Sequence, residues 1–76
     1  MVYIEINPEI MVGKPIIKGT RITVESIISM MGQGMTIDNI LQEYNGLLRE
    51  EVLACLQYAG NIIEKTNIYD LDKVSS

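Results

Sequence analysis

The first residues of the chain alternate between apolar and polar side chains. Val2, Ile4 and Ile6 are separated by Tyr3 and Glu5, and this period of two is typical of a strand with one buried face. The pattern therefore predicts a strand at the start of the chain, with the three aliphatic residues on the same face.

Residues 1–22 are predicted to form a small β ribbon. Asn7-Pro8-Glu9 indicates a turn, because proline fixes φ and asparagine can bond its own backbone. Pro15-Ile16-Ile17 indicates a second short strand with proline at its entry. Lys18-Gly19 then suits a tight turn in which Gly19 supplies a positive φ.

From Thr23 onward the apolar residues follow a helical period. Thr23 and Thr36 can cap two helices, since a threonine hydroxyl accepts a hydrogen bond from a free N–H of the first turn. Apolar residues follow each cap at i, i+3, i+4 and i+7, namely Val24, Ile27, Ile28 and Met31, then Ile37, Ile40, Leu41 and Tyr44. Glycines end both helices, Gly32 or Gly34 in the first and Asn45-Gly46 in the second. Met30, Met31 and Met35 are expected to pack around the first helix.

A third helix is predicted from about Leu48 to about Lys65. Its buried stripe is expected to contain Val52, Leu56, Ala59 and Ile63, widened by Leu53 and Ile62. Leu48 is a poor cap because it has no side-chain acceptor, and Gly60 indicates a kink or a close helix crossing. Cys55 is interpreted as a core residue. Residues 67–76 form a tail that is either frayed or ordered by docking.

The fold predicted from these elements is mainly α. It is one domain, with a β arm at 1–22, a three-helix bundle at 23–66 and a tail at 67–76. At 76 residues the chain buries only about 60 to 65% of the surface that it exposes when unfolded. Because its apolar content is nevertheless high, we expect part of that surface to be buried in a homodimer.

The composition excludes several classes of protein. The chain contains no histidine and no cluster of metal ligands, so we expect neither an enzyme nor a cofactor. The stretch from Gly13 to Thr20 is not a phosphate-binding loop, since Lys18 precedes Gly19 instead of following it. A single cysteine fits a reducing compartment, and no apolar run is long enough for a membrane span. We expect a soluble cytoplasmic protein.

Charge is distributed unevenly along the chain. Residues 1–24 carry three cations and two acids, 3 − 2 = +1, whereas residues 25–76 carry three cations and eight acids, 3 − 8 = −5. The acidic part argues against broad affinity for nucleic acid, but the arm could contact phosphate locally. Candidate DNA contacts are Lys14, Lys18, Thr20 and Arg21 on the arm, and Arg49 and Gln57 on the third helix. The alternative is that the lysines are solvated turn residues and that Arg21 forms an ion pair within the protein or dimer.

Several motifs resemble those of the domain-of-unknown-function 433 family of small bacterial and archaeal proteins. The resemblance extends from about Tyr3 to Gly60. It rests on Asn7-Pro8-Glu9, the block from Gly13 to Val24, Gly34-Met35-Thr36, Glu43-Tyr44, Leu47, Glu50-Glu51-Val52 and Ala59. The chain departs from the family pattern at Asn7 (usually aspartate), Val12 (commonly glycine), Lys18 (frequently arginine) and Leu48 (usually serine or threonine).

The resemblance implies a homeodomain-like helix-turn-helix fold behind a β arm, and a function as a VapB-type antitoxin. Such a protein binds and neutralises a PIN-like ribonuclease and represses its own operon through operator DNA. The tail could then reach the metal site of the nuclease with Ile68, Tyr69, Asp70, Leu71 and Asp72. The alternatives are a stand-alone helix-turn-helix transcriptional regulator and a dimeric interaction module with neither role.

Overall fold

Two short strands precede three helices. The computed structural model describes the backbone of residues 2–75 and the side chains of residues 2–65. In chain order the elements are β1 (Ile4–Ile6), a 3-10 turn (Met11–Gly13), β2 (Pro15–Ile17), α1 (Val24–Gly32), α2 (Ile37–Glu43) and α3 (Arg49–Ser75). The predicted mainly α fold, with three helices behind a small β ribbon, is confirmed.

The two strands form an antiparallel ribbon in which Ile4 lies opposite Ile17. Both of these side chains are buried, whereas Val2 and Ile6 are exposed. The prediction that Val2, Ile4 and Ile6 share a buried face is therefore wrong for two of the three. Each strand has only three residues, and the helices that pack on the ribbon cover only the part around Ile4.

The turn before β2 holds three consecutive residues in the left-handed region. Met11, Val12 and Gly13 have φ values of 51°, 56° and 79°. This region crowds the Cβ of an L residue, and a β-branched residue suffers most. Val12 is also 93% exposed, so no burial of its side chain offsets the strain. Val12 is therefore a strained residue, at one of the positions where the sequence departs from the pattern that it resembles.

The starts of α1 and α2 are capped by the two predicted threonines. The hydroxyl of Thr23 accepts a hydrogen bond at 3.0 Å from a first-turn N–H of α1. Thr36 and Asn39 form a reciprocal capping box, with hydrogen bonds of 3.0 and 3.1 Å between the side chain of each and the N–H of the other. After these helices, Gly34 and Gly46 adopt positive φ. Both caps are confirmed.

The core lies where the ribbon and the three helices meet. Its fully buried side chains are Ile16, Ile17, Ile27, Ile40, Val52 and Cys55. The interpretation of Cys55 as a core residue is confirmed. Met30, Met31 and Met35 are partly buried against this core, as expected. The core of the monomer is therefore small and mostly aliphatic.

The buried face of α3 differs from the predicted stripe. The buried residues of α3 within the described side chains are Val52, Ala54 and Cys55, while Leu53 and Ile63 are about half exposed. The sequence could not fix this face, because α3 has apolar residues around most of its circumference. Packing against α1 and β1 selects which of them are covered.

Helix α3 is longer than predicted, with 27 residues instead of an end near Lys65. No glycine or proline follows Gly60, so no residue type in that stretch breaks the helix. A Cβ added at Gly60 would meet no atom within 4 Å, so the expected close crossing there is wrong. Within the described residues, none of the helices combines the length and the apolar character that a membrane span requires.

Candidate functional site

The turn between β2 and α1 is organised by the side chain of Thr20. Its hydroxyl donates a hydrogen bond to the carbonyl of Ile17 at 2.8 Å and accepts one from the N–H of Ile22 at 3.0 Å. Gly19 precedes it with a φ of 81°, which confirms the predicted turn. Both hydrogen-bonding functions of the Thr20 hydroxyl are thus used inside the turn, and the geometry gives this residue a structural role.

The candidate cations fall into two groups. Lys14 pairs with Glu25 of α1 at 2.9 Å, and Arg49 at the start of α3 pairs with Asp38 of α2. Lys18 and Arg21 are exposed, and neither forms an ion pair with any described residue. The structure therefore places Lys18 and Arg21 in the segment between β2 and α1, and it pairs Lys14 and Arg49 with acids of α1 and α2.

The start of α3 is acidic. Glu50 and Glu51 occupy its first turn, where negative charge is favourable because of the helix dipole. Leu48 has no side-chain acceptor, but its N–H donates a hydrogen bond to Oε1 of Glu51 at 2.9 Å, so half of a capping box is present. Two carboxylates at this end would face phosphates in a DNA groove, and the exposed Gln57 lies farther along the same helix. This geometry disfavours α3 as a DNA-reading helix.

An open apolar groove lies between β2, α1 and the middle of α3. Its volume is about 480 Å³, which is in the range of small binding clefts. Its lining residues are Pro15, Val24, Glu25, Ile28, Ser29, Tyr58, Ala59, Ile62 and Ile63. We call this the α1/α3 groove. The chain therefore leaves apolar surface on two packed helices open to solvent.

The sequence pattern did not predict the α1/α3 groove, because it assigned Ala59, Ile62 and Ile63 to the core. A signal was nevertheless present in the helix lengths. Helix α1 has only nine residues and spans about 14 Å at 1.5 Å per residue. A partner helix of that length cannot cover the whole apolar stripe of a longer α3, so some of that stripe had to remain open.

The thiol of Cys55 is fully buried in the core. Loss of solvation raises the pKa of this thiol to about 11, and the nearby charge of Glu51 adds to the effect. The thiolate is the nucleophilic form of cysteine. A buried thiol with a raised pKa stays protonated and is a poor nucleophile, which fits the role of Cys55 as a core residue.

The predicted partner-binding residues Ile68, Tyr69, Asp70, Leu71 and Asp72 lie outside the described side chains. Their backbone belongs to α3, which ends at Ser75. The tail segment is thus a continuation of the same helix that forms one wall of the α1/α3 groove.

Two of the comparisons with known proteins indicate the same family. Residues 4–59 match the family model described as "Protein of unknown function (DUF433)". A comparison with the curated proteins finds no significant match. Among the solved structures, the chain is similar to the crystal structure of a DUF433 member protein from Anabaena variabilis, with a TM-score of 0.73 and 26% sequence identity. The alignment covers 97% of this chain and 69% of that chain.

Proposed function

The chain belongs to the DUF433 family of proteins of unknown function, and on that premise we propose that it is an antitoxin-like member of a type II toxin-antitoxin pair. In this role it binds a PIN-like ribonuclease, neutralises it and represses its own operon. The observation that carries the proposal is the length of α3, which continues well beyond the core of the chain.

The second half of α3 is suited to binding a groove on a partner protein. Cys55 is its last buried residue among the described side chains, and the helix continues to Ser75. The 17 residues that follow Tyr58 extend for about 26 Å at 1.5 Å per residue. A helix that projects from a small body can lie in a groove of a partner, and this is a common mode of peptide recognition.

The charge of the chain suits a nuclease as the partner. The net charge is −4, and the projecting half of α3 contains Glu64, Asp70 and Asp72 in its sequence. A ribonuclease must attract the phosphates of RNA, so its substrate-binding surface is cationic. An acidic helix docked on that surface would compete with RNA for the same charges and accelerate association.

The test is inhibition of a PIN-like nuclease from the same genome when it is co-expressed with this chain. We expect the two proteins to copurify after co-expression, and the nuclease to lose its activity in the complex. The double variant Asp70→Lys/Asp72→Lys should weaken the complex at least about tenfold, because lost charge contacts at an interface cost about 2 kcal/mol or more.

A matched control distinguishes the effect of Asp70 and Asp72 from the effect of net charge. The variant Glu9→Lys/Glu43→Lys changes the net charge by the same amount, from −4 to 0, at two exposed positions outside α3. It should retain inhibition within about threefold. A nuclease that stays fully active in the presence of the wild-type chain, with no copurification, would exclude the antitoxin role.

The alternative function, a stand-alone DNA-binding regulator, is favoured by one observation. Lys18 and Arg21 are exposed on the same turn and have no acidic partner among the described residues. Such cations can contact a DNA backbone or minor groove. The acidic start of α3 counts against a DNA contact by that helix.

A further inference from the structure

The α1/α3 groove is open although the chain is small and apolar. Ile63, on its α3 side, is 51% exposed, and Ile28 and Tyr58 on the opposing walls are only partly buried. Apolar surface of this kind, gathered between two helices, marks an interaction site more often than a feature of an isolated monomer. We therefore expect a specific partner to cover the α1/α3 groove.

We propose that the α1/α3 groove is the interface of a homodimer, in which the same groove of a second copy packs against it around a twofold axis near Ile63. An isologous interface uses the same surface of both subunits. The groove can meet this condition, because it combines a convex wall, formed by α3, with a concave space between α3, α1 and Pro15. The ridge of each copy then enters the groove of the other.

The exposed area of the chain leaves enough surface for such an interface. The chain exposes 5544 Å², whereas a compact monomer of 8.5 kDa exposes about 4,650 Å². The extension of α3 to Ser75, which begins with the Ile62 and Ile63 side of the groove, contributes to this excess of about 900 Å², and a standard interface takes roughly 800 Å² from each partner. The same extension raises the radius of gyration to 13.8 Å, above the value of about 11.4 Å for a compact domain of this length.

The charges around the groove favour a second copy over an unlike partner. Two copies of an acidic chain repel each other, so an interface between them must not bring together unpaired acids. Glu25 is the single charged residue in the lining, and Lys14 neutralises it at 2.9 Å. A cationic partner would instead be expected to face unpaired acids. This proposal is independent of the antitoxin function.

The first test is the mass of the full chain in solution by sedimentation or light scattering. We expect the wild type to form a dimer of twice 8.5 kDa, about 17 kDa. Ile63→Glu should raise the dimer Kd at least about a hundredfold. Leu53→Glu is the matched control, because Leu53 is 46% exposed on the same helix and lies outside the groove lining. It should leave the Kd unchanged within about threefold.

The second test does not depend on loss of association. Ile63→Cys should form an intermolecular disulfide on mild oxidation, since residues near a twofold axis meet their own copies. Leu53→Cys should not form one, and the buried Cys55 does not interfere. A wild-type chain that stays monomeric at 100 µM or more, or a dimer weakened by Leu53→Glu and not by Ile63→Glu, would overturn the proposal. Protection of the groove from solvent in a complex with the nuclease, but not in the free chain, would also overturn the proposal.

Discussion

The Nζ atom of Lys14 lies 2.9 Å from Oε1 of Glu25 and donates a hydrogen bond to it. The pair joins the residue before β2 to the first turn of α1. It also gives Lys14, whose position on the arm made it a candidate for contact with phosphate, an acidic partner within the protein, with which a phosphate would have to compete.

This contact predicts a shift in the pKa of Glu25 when Lys14 is replaced. The hydrogen bond from Lys14, and secondly its positive charge, hold the pKa of the Glu25 carboxyl below its ordinary value. In Lys14→Met we expect this pKa to rise toward the ordinary value, measured by NMR titration of the carboxyl carbon. Lys18→Met should leave it unchanged, and a similar shift in both variants would contradict the pairing.

The same shift fixes the sign of a pH dependence. A carboxyl whose pKa is lowered in the folded state stabilises the fold above its ordinary pKa, and this contribution disappears as the pH falls through the lowered pKa. Lys14→Met should therefore reduce the free energy of unfolding at neutral pH only. At a pH below the lowered pKa, this pair should no longer contribute to the difference in the free energy of unfolding between the variant and the wild type.

Val12→Gly is expected to stabilise the protein. Val12 has a φ of 56° and is 93% exposed, so glycine relieves strain while little packing is lost. The relief exceeds the extra unfolded-state entropy of glycine, and the free energy of unfolding should rise by about 1 kcal/mol. Urea denaturation at fixed protein concentration measures the change.

The control for this prediction is Val12→Ala, which keeps a Cβ and removes only the branch. It should recover less stability than Val12→Gly, because the clash of a left-handed residue begins at Cβ. A Val12→Gly variant no more stable than the wild type would show that the turn is not strained.

Gly60 and Gly34 provide a matched pair of substitutions. A Cβ added at either position meets no atom within 4 Å, but Gly60 lies inside α3 and Gly34 has a φ of 100°. Gly60→Ala should therefore raise the free energy of unfolding by up to about 1 kcal/mol, because alanine is the better helix former. Gly34→Ala should lower it by about 1 kcal/mol or more, since its backbone conformation excludes a side chain.

The outcome of this pair distinguishes backbone conformation from crowding. If both glycines filled close approaches, both alanine variants would lose stability. Opposite signs, measured by thermal or urea unfolding at the same protein concentration, would support the open environment of Gly60.

Features of the fold that depend on residues close in the sequence could be predicted from the sequence. Thr23 and Thr36 cap their helices and Gly19 adopts positive φ, because each of these roles is set by residue type and position within a few residues. These features required no knowledge of tertiary packing. The positive φ of Val12 was not predicted, although the sequence departs there from a pattern that commonly has glycine.

The candidate site could be predicted only in part. The pairing of Lys14 with Glu25 and of Arg49 with Asp38 each joins residues 11 positions apart, and only the packing of the elements decides such contacts. The same holds for the face of α3, where Cys55 is buried and Ile63 is half exposed although both continue an apolar pattern. Hydrophobic period alone does not tell a core stripe from an intersubunit surface.

The ion pairs also sharpen the salt dependence expected if the arm binds operator DNA. With Lys14 held by Glu25, a dimer offers Lys18 and Arg21 twice over, or about four phosphate contacts, and log K should fall with log salt at a slope of about −3.6. Including Lys14 would give about −5.4. Anisotropy measurements on promoter duplex at several salt concentrations separate the two values. Arg21→Ala should reduce the slope by about 1.8, whereas Lys14→Met should leave it unchanged. Because the body of the chain is acidic, we expect the DNA affinity of the arm to come from these few cations, so a flat salt dependence or no binding at low salt would exclude the arm as a DNA contact.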